Sequence, residues 1–189
     1  LGLHLMLHGK LFLFEKKNEN KYPVLDLLFK DSTGLTLTDF QKAAVPSLNP
    51  EPKTAPDAMS KDITVDFFKT LLAKKKTNIK NILLDQHIIK GIGNAYADEI
   101  LWHARISPFS AGNKIPEDKI KDLIKAIRTT LEDAEKHILK SNPDIINGEV
   151  RDFMLIHNSK KKTSPNGAEI KIREDSRKTY YTDEQELYE

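Results

Sequence analysis

Apolar and polar residues alternate along the first 45 positions of the chain. This period of two, interrupted by Gly9-Lys10, the polar stretch 15–21 and Ser32-Thr33-Gly34, is typical of short β-strands. We predict strands at Leu3–Leu7, Leu11–Phe14, Val24–Phe29 and Leu35–Thr38. Prolines at positions 46, 52 and 56, set among scattered polar residues, predict a linker over 46–62.

The apolar spacing becomes helical between about 64 and 141. Val65, Phe68 and Leu72 share one face of a short helix, and Thr77 is predicted to cap a second helix. A third helix is predicted to begin after Gly93. Pro116 opens a fourth and longer helix with an apolar stripe that is expected to face the core, formed by Ile120, Leu123, Ile124, Ile127, Leu131, Ala134 and Ile138.

The pattern returns to β after Asn142-Pro143. Ile170 and Ile172 alternate with basic residues, Asp175-Ser176 predicts a turn, and Lys178–Thr182 is the expected return strand of a hairpin. The chain is therefore predicted to be α+β in three parts, over residues 1–50, 60–145 and 150–189. The chain begins with a leucine and not with methionine, and the alternating pattern is already present at its first residues, as in the middle of a strand. We therefore expect a fragment of a longer protein.

Composition excludes several classes of protein. No apolar run approaches the ~18–20 residues that cross a bilayer, and the first residues are interrupted by His4, His8 and Lys10, unlike a secretory signal. The absence of cysteine excludes disulfides, thiolate nucleophiles and cysteine-ligated zinc. The six histidines are dispersed, so we expect no metal site. A soluble intracellular monomer is expected.

Charge is more informative locally than in total. The formal net charge is only +2, but lysines cluster at 74–76 and at 160–162. Such clusters are solvated loops or helix ends in many proteins, and phosphate-binding surfaces in others. Phosphate binding is favoured where Lys90 precedes Gly91 and Gly93, because Asn94 then begins a helix whose first N–H groups lack intrahelical partners.

The surrounding segment carries a longer motif, LLDQ-x-x-x-x-GIGN-x-YADE-x-L-x-x-A-x-I-x-P, between Leu83 and Pro108. It resembles the helix–two-turns–helix signature of the formamidopyrimidine-DNA glycosylases and endonuclease VIII proteins, in sixteen positions within 26 residues. The resemblance implies DNA base excision repair, with double-stranded DNA bearing an oxidised-base or abasic lesion as the partner. The implied location is the bacterial cytosol or nucleoid, or another intracellular compartment that contains DNA. It implies that Asn94 and the amides of the Gly91–Gly93 turn bind phosphate, and that Lys80 contacts the DNA backbone; Lys90 is predicted to bind DNA from its position beside the turn.

The first predicted strands also resemble this family, as the remainder of its amino-terminal β-sandwich. Leu3–Gly9 is similar to the family's H-L-G-M-S-G strand and turn, which implies that Leu7 wedges into the gap left by an extruded base. Leu35–Asp39 is similar to the strand that ends in T-D-P-R-R-F-G. Phe40, Gln41 and Lys42 depart from that pattern, so the residues that hold the orphaned base are absent or changed.

The carboxyl end resembles a finger without zinc. Family members usually carry two C-x-x-C pairs, where this chain has Ser164–Gly167 and Thr182–Gln185. The resemblance implies that Arg177, in the hairpin turn, reaches the lesion phosphate. No zinc or other cofactor is expected.

The resemblance also locates the catalytic groups. In the family an amino-terminal proline attacks the sugar, assisted by a glutamate and a lysine, and all three lie upstream of the strand where this chain starts. Internal prolines have amide nitrogens and cannot act as that nucleophile. The parent protein is thus expected to be a DNA glycosylase and AP lyase. A damaged-DNA-binding module without catalysis and an RNA-associated protein are the alternatives.

Two further interpretations are structural. Asp98 and Glu99 are expected in the first turn of the third helix, where carboxylates favour the helix dipole. Trp102 is expected to be a packing residue.

Overall fold

The computed structural model describes residues 1–52 and 54–189; residue 53, within the predicted linker, lies outside the described residues. The described chain forms two compact units. One contains Leu1–Pro52 together with Asn142–Val150, and the other contains the rest. The α+β class is confirmed.

The first unit is a small β structure. Its strands are β1 (Gly2–His4), β2 (Lys10–Glu15), β3 (Pro23–Leu28), β4 (Thr33–Thr38) and β5 (Val45–Ser47). All pairings are antiparallel, with β4 between β2 and β3, and β1 paired with β5. The central strand has the most buried side chains, since both of its edges are paired; Thr36 and Leu37 are fully enclosed.

Two strand predictions for this unit were wrong in detail. The first strand ends at His4, because the chain turns where the Gly9 N–H donates to the Leu5 carbonyl at 2.8 Å. Met6 in that turn has a φ of 54°. The predicted linker, 46–62, begins inside β5, whose Val45 pairs with His4. Alternation alone did not reveal this pairing, since the partner strand lies about 40 residues away along the chain.

The second unit contains the helices α1 (Val65–Leu72), α2 (Ile79–Leu84), α3 (Asn94–His103) and α4 (Glu117–Ser141). Thr64 caps α1, its hydroxyl accepting from the Phe67 N–H at 3.1 Å. The cap of α2 is Asn78 and not Thr77, and it makes no side-chain capping bond. The apolar faces of all four helices enclose one core, as predicted for the α4 stripe.

A hairpin completes the second unit. Its strands are β6 (Lys171–Glu174) and β7 (Lys178–Tyr181), with Ile172 opposite Tyr180. Two-stranded hairpins are marginal alone, and this one packs on the helical part: Trp102 of α3 is buried with Ile156, Ile170 and Tyr180. The interpretation of Trp102 as a packing residue is therefore confirmed. Ile172 of β6 does not join this cluster and is exposed.

The described helices include none whose length and apolarity together would let it cross a membrane.

Candidate nucleic-acid interface

The turn between α2 and α3 is held by a side chain. Gly91 has a φ of 95°, which only glycine adopts without strain. The Gln86 carboxamide closes the turn, its oxygen accepting from the Gly91 N–H at 3.1 Å and its nitrogen donating to the Ile92 carbonyl at 3.0 Å. Gln86 was part of the sequence motif, but its role was not predicted. Because Gln86 takes the Gly91 N–H, the N–H groups that remain for a ligand lie further along, at the start of α3.

Gly93 precedes α3 and borders open space. Its φ of −99° suits any residue, and a Cβ added there would meet no described atom within 4 Å. The first bond of the helix runs from the Ala97 N–H to the Gly93 carbonyl, so the N–H groups of Asn94 and Ala95 have no partner within the helix. The protein itself therefore does not require glycine at 93, whereas a ligand approaching the helix end closely would.

Asn94, the first residue of α3, connects that helix end to the hairpin. Its Nδ2 donates to the Lys178 carbonyl at 3.0 Å. An amide nitrogen carries two N–H groups, so one is left for a ligand. Arg177 directly precedes Lys178 and is exposed in the turn between β6 and β7. The hydrogen bond thus brings the helix start and the basic turn to one place.

Lys80 is the one predicted backbone contact that is buried. Its Nζ lies 2.7 Å from Asp98 Oδ1 and donates to Thr179 Oγ1 at 2.8 Å and to the Lys178 carbonyl at 3.2 Å. Burial lowers the pKa of the Lys80 ammonium; Asp98 opposes that shift and the positive charge of Arg177 adds to it. This geometry makes Lys80 a brace for the β7 strand; its direct contact with DNA stays a prediction.

The interpretation of Asp98 and Glu99 as helix-end groups was wrong. They occupy the second turn of α3, face inward, and are buried. Asp98 Oδ2 accepts from the Tyr180 N–H at 2.9 Å and lies 2.7 Å from His157 Nδ1.

Glu99 holds a different segment. Its carboxylate accepts from the backbone N–H groups of Leu155, Ile156 and His157 at 3.0, 2.7 and 2.7 Å. These carboxylates are therefore ties between α3 and the carboxyl-terminal third of the chain. The sequence signal that could have found them is two adjacent acidic residues on a helix whose neighbours are apolar.

Lys90 and Leu7 are the two other residues that were predicted to contact DNA. The Lys90 backbone pairs with the 56–58 segment, its N–H donating to the Pro56 carbonyl at 2.9 Å. Leu7 lies in the β1–β2 turn of the other unit with 89% of its surface exposed. Neither placement tests a contact with DNA.

No group of three or more metal-ligating side chains occurs in residues 1–52 and 54–189. At the two places where cysteine pairs would stand, polar groups bond to one another. Ser164 Oγ accepts from the Ala168 N–H at 3.2 Å, and Gln185 Oε1 accepts from the Thr182 N–H at 2.9 Å. A hydroxyl and an amide are not among the thiolate, imidazole and carboxylate ligands that zinc sites use, so Ser164 and Gln185 do not fit a zinc ion.

Comparison with known proteins identifies the family. Residues 54–141 match the model of the formamidopyrimidine-DNA glycosylase H2TH domain, where H2TH denotes helix–two-turns–helix. Over 149 residues the chain is 35% identical to the formamidopyrimidine-DNA glycosylase of Lactobacillus johnsonii, covering 70% of this chain and 52% of that protein. The chain belongs to the formamidopyrimidine-DNA glycosylase family.

Other members agree with this assignment. The formamidopyrimidine-DNA glycosylase of Carboxydothermus hydrogenoformans is 36% identical over 132 residues, covering 68% of this chain and 49% of that enzyme. The chain spans about half the length of these curated relatives.

The fold is likewise that of the family. The structure is similar to the Lactococcus lactis formamidopyrimidine-DNA glycosylase non-covalently bound to DNA containing an AP site, with a TM-score of 0.79, 25% identity, and coverage of 97% of this chain and 73% of that one. The structure is also similar to a complex of the L. lactis enzyme with DNA containing FAPY-dG, with a TM-score of 0.78 and 27% identity. That match covers 97% of this chain and 74% of the other.

Proposed function

We propose that this chain binds double-stranded DNA at an abasic or oxidised-base lesion, as part of a base excision repair glycosylase. The observation that carries the proposal is the hydrogen bond from Asn94 Nδ2 to the Lys178 carbonyl. It sets one free amide N–H and the exposed Arg177 beside the open face of Gly93. The L. lactis relatives with this fold are complexes with AP-site and FAPY-dG DNA, which supports the same class of partner here.

The charges of the site favour one phosphate between Asn94 and Arg177. Lys80 is neutralised by its 2.7 Å contact with Asp98 and the exposed Lys178 pairs with Glu174 at 2.8 Å, so Arg177 is the exposed cation that we propose binds the phosphate. A guanidinium gives a phosphate two parallel hydrogen bonds, and the start of α3 adds N–H groups and the positive end of the helix dipole. Gripping the backbone at the lesion would hold the strand while the damaged nucleotide is turned out, and Leu7 is proposed to fill the gap.

We infer that the catalytic role belongs to the whole protein, acting as a DNA glycosylase and AP lyase wherever DNA is held in a bacterial cell. The nine prolines of this sequence all lie at position 23 or later. Their nitrogens are amides and cannot act as amine nucleophiles, so we propose binding and positioning as the contribution of residues 1–189.

The test is binding to a fluorescent duplex with a tetrahydrofuran abasic site, compared with the same duplex undamaged, by anisotropy at several salt concentrations. We expect tighter binding to the abasic duplex and a steep loss of affinity with salt, because phosphate contacts release counterions. Affinity that does not change with salt, or that does not distinguish the two duplexes, contradicts the proposal.

Arg177→Ala is the decisive variant. Loss of one charge-assisted phosphate contact should weaken binding by about 1–3 kcal/mol, with little change in melting temperature because the side chain is exposed. Arg173→Ala is the matched control: it removes the same charge from the same hairpin, but Arg173 pairs with Asp175 at 2.9 Å. Equal affinities for both variants would refute the role of Arg177.

We also propose that the finger works without a metal. Two observations support this. Ser164 and Gln185 stand where cysteine ligands would be, and their side-chain oxygens accept hydrogen bonds from backbone N–H groups. Treatment with a chelator such as EDTA should leave the melting temperature and the affinity for abasic DNA unchanged. A drop in either, restored by added zinc, contradicts the proposal.

A further inference from the structure

One carboxylate lies where three segments of the second unit meet. The Glu184 side chain is only 16% exposed. It accepts from Trp102 Nε1 at 2.9 Å, from Arg105 Nη1 at 2.6 Å and from Asn166 Nδ2 at 2.6 Å. The Thr182 hydroxyl donates to it at 3.2 Å. Neither the sequence motif nor the proposed phosphate site uses this residue.

The groups around Glu184 are all hydrogen-bond donors, so the side chain at this position must be able to accept several hydrogen bonds and donate none. A carboxylate offers about four acceptor positions and no donor, and every group aimed at Glu184 here is a donor. Burial alone would raise the pKa of Glu184, but hydrogen bonds from Asn166, Ser164, Trp102 and Arg105 outweigh it and lower the pKa below its ordinary value. The charged form is therefore the one that the surroundings stabilise.

The cluster joins particular parts of the chain. Trp102 lies in the last turn of α3, and Arg105 lies two residues beyond the end of that helix. Asn166 lies in the turn before β6, and Thr182 directly follows β7. Asp98 and Lys80 already tie β7 to the helices through Tyr180 and Thr179. Strand β6, in contrast, pairs only with β7 among the described strands, and its side chains are mostly exposed.

We propose that Glu184 is the positioning residue of the hairpin: it fastens the turn before β6 and the end of β7 to α3, and so holds Arg177 in place beside Asn94. This rests on the proposed function in so far as Arg177 binds DNA. In effect, one carboxylate accepting several hydrogen bonds joins the two ends of the hairpin, at the place where the residues do not fit a metal ion.

The anchoring is tested first without DNA, by amide hydrogen exchange of Glu184→Ala. We expect exchange in residues 164–174 to accelerate at least tenfold. Asp183→Ala is the matched control, because it removes an adjacent carboxylate whose exposed pair with Lys171, at 2.7 Å, lies on the surface. Exchange in 164–174 that is unchanged by Glu184→Ala, or accelerated as much by Asp183→Ala, overturns the proposal.

The positioning is tested with abasic DNA. Glu184→Ala should weaken binding about five- to thirtyfold and reduce the slope of log affinity against log salt by about 0.9, the value for one phosphate contact. In the Arg177→Ala background the same substitution should have little further effect, because both changes remove the same contact. An equal fold-loss in both backgrounds shows that Glu184 does not act through Arg177 and overturns the proposal.

A second variant covers the case in which Glu184→Ala does not fold. Glu184→Gln keeps the shape but replaces one acceptor with an NH₂ group that faces donors. Its exchange in residues 164–174 should be faster than in the parent, its salt slope should lie between those of the parent and of Arg177→Ala, and parent-like values in both overturn the proposal. If the parent chain itself does not bind abasic DNA, the proposed function fails, and the exchange experiment still decides whether Glu184 anchors the hairpin.

Discussion

The two units of the chain are stabilised by different means. The helical and hairpin unit encloses a core in which Phe68, Ile100 and Leu101 have no exposed surface. In the β unit only Leu37, among large apolar side chains, is buried to that degree, while Leu13 and Leu28 are mostly exposed. The first unit is held instead by its strand ladders and by local hydrogen bonds.

The difference has a consequence for DNA binding. The residues assigned to the phosphate site all lie in the unit with the enclosed core. Precise placement of Asn94 and Arg177 needs rigid support, and buried packing supplies it more firmly than exposed strands do. The sole tryptophan, Trp102, is 5% exposed in the same unit, so its fluorescence reports on that unit alone.

The largest expected effect comes from Phe68→Ala. Removing this fully enclosed ring should lower the free energy of unfolding by about 3–5 kcal/mol, because a cavity remains in the core. Leu13→Ala, at a position that is 67% exposed in the β unit, is the control and should change it by less than about 0.5 kcal/mol. Calorimetry measures both variants, and Trp102 fluorescence gives a second measurement for Phe68→Ala. Comparable losses would break the contrast between the units.

Asp98→Asn is expected to come next. The asparagine cannot balance the buried Lys80 charge, which lies 2.7 Å from the carboxylate, so the variant should lose about 3 kcal/mol of stability. Asp133→Asn is matched in chemistry, but Asp133 is 77% exposed and its contact with Lys136 is long, at 3.8 Å. Urea unfolding followed by Trp102 fluorescence compares the two. A loss below about 1 kcal/mol for Asp98→Asn would mean that the pair does not brace the hairpin.

Two glycines of the second unit should separate stability from binding. A Cβ at Gly112 would lie 2.7 Å from Ile82 Cδ1 and 2.9 Å from the Lys75 carbonyl oxygen, so Gly112→Ala should lose about 1–3 kcal/mol of stability. The Cβ of Gly93→Ala meets no described atom, so this variant should lose no more than about 1 kcal/mol of stability, the cost of alanine at the helix N-cap.

Gly93→Ala should nevertheless weaken abasic-DNA binding at least about fivefold, or about 1 kcal/mol, if a phosphate approaches the helix start. Thermal melting and anisotropy measure the two quantities. Parent-like affinity for Gly93→Ala would show that no ligand approaches this face.

The smallest effect concerns Asp39 in the β unit. Burial would raise its pKa, but the N–H groups of Gln41, Ala44 and Ala43 together lower it below the ordinary value. The ionised Asp39 carboxylate therefore stabilises the folded state fully above the pKa of an unfolded aspartate, about 3.9. This contribution is lost as the pH falls through the lowered pKa of Asp39 in the folded protein. NMR shifts of the Ala43 and Ala44 amides should titrate with a midpoint below about 3.9, and this titration should vanish in Asp39→Asn. A midpoint at or above that value contradicts the assignment.

Local pattern predicted much of this architecture. Three-and-four spacing located the helices, alternation located β2, β3, β4 and the hairpin, and the motif between Leu83 and Pro108 indicated the family. These features depend on residues close together in sequence, where periodicity and turn residues largely decide the backbone. The pairing of β1 with β5 and the end of the first strand at His4 were missed, since neither is written in a local period.

The sequence by itself determined the helix–two-turns–helix region, the absence of cysteine ligands and the basic turn that carries Arg177. Only the tertiary structure decided that residues 142–150 join the β unit, where Asn147 Nδ2 donates to the Leu11 carbonyl at 2.8 Å. It also decided that Asp98 neutralises Lys80 and that Glu184 gathers donors from segments about 80 residues apart. A carboxylate in a sequence reads as a surface group; its partners, and with them its charge balance and role, exist only once the chain has brought distant donors around it.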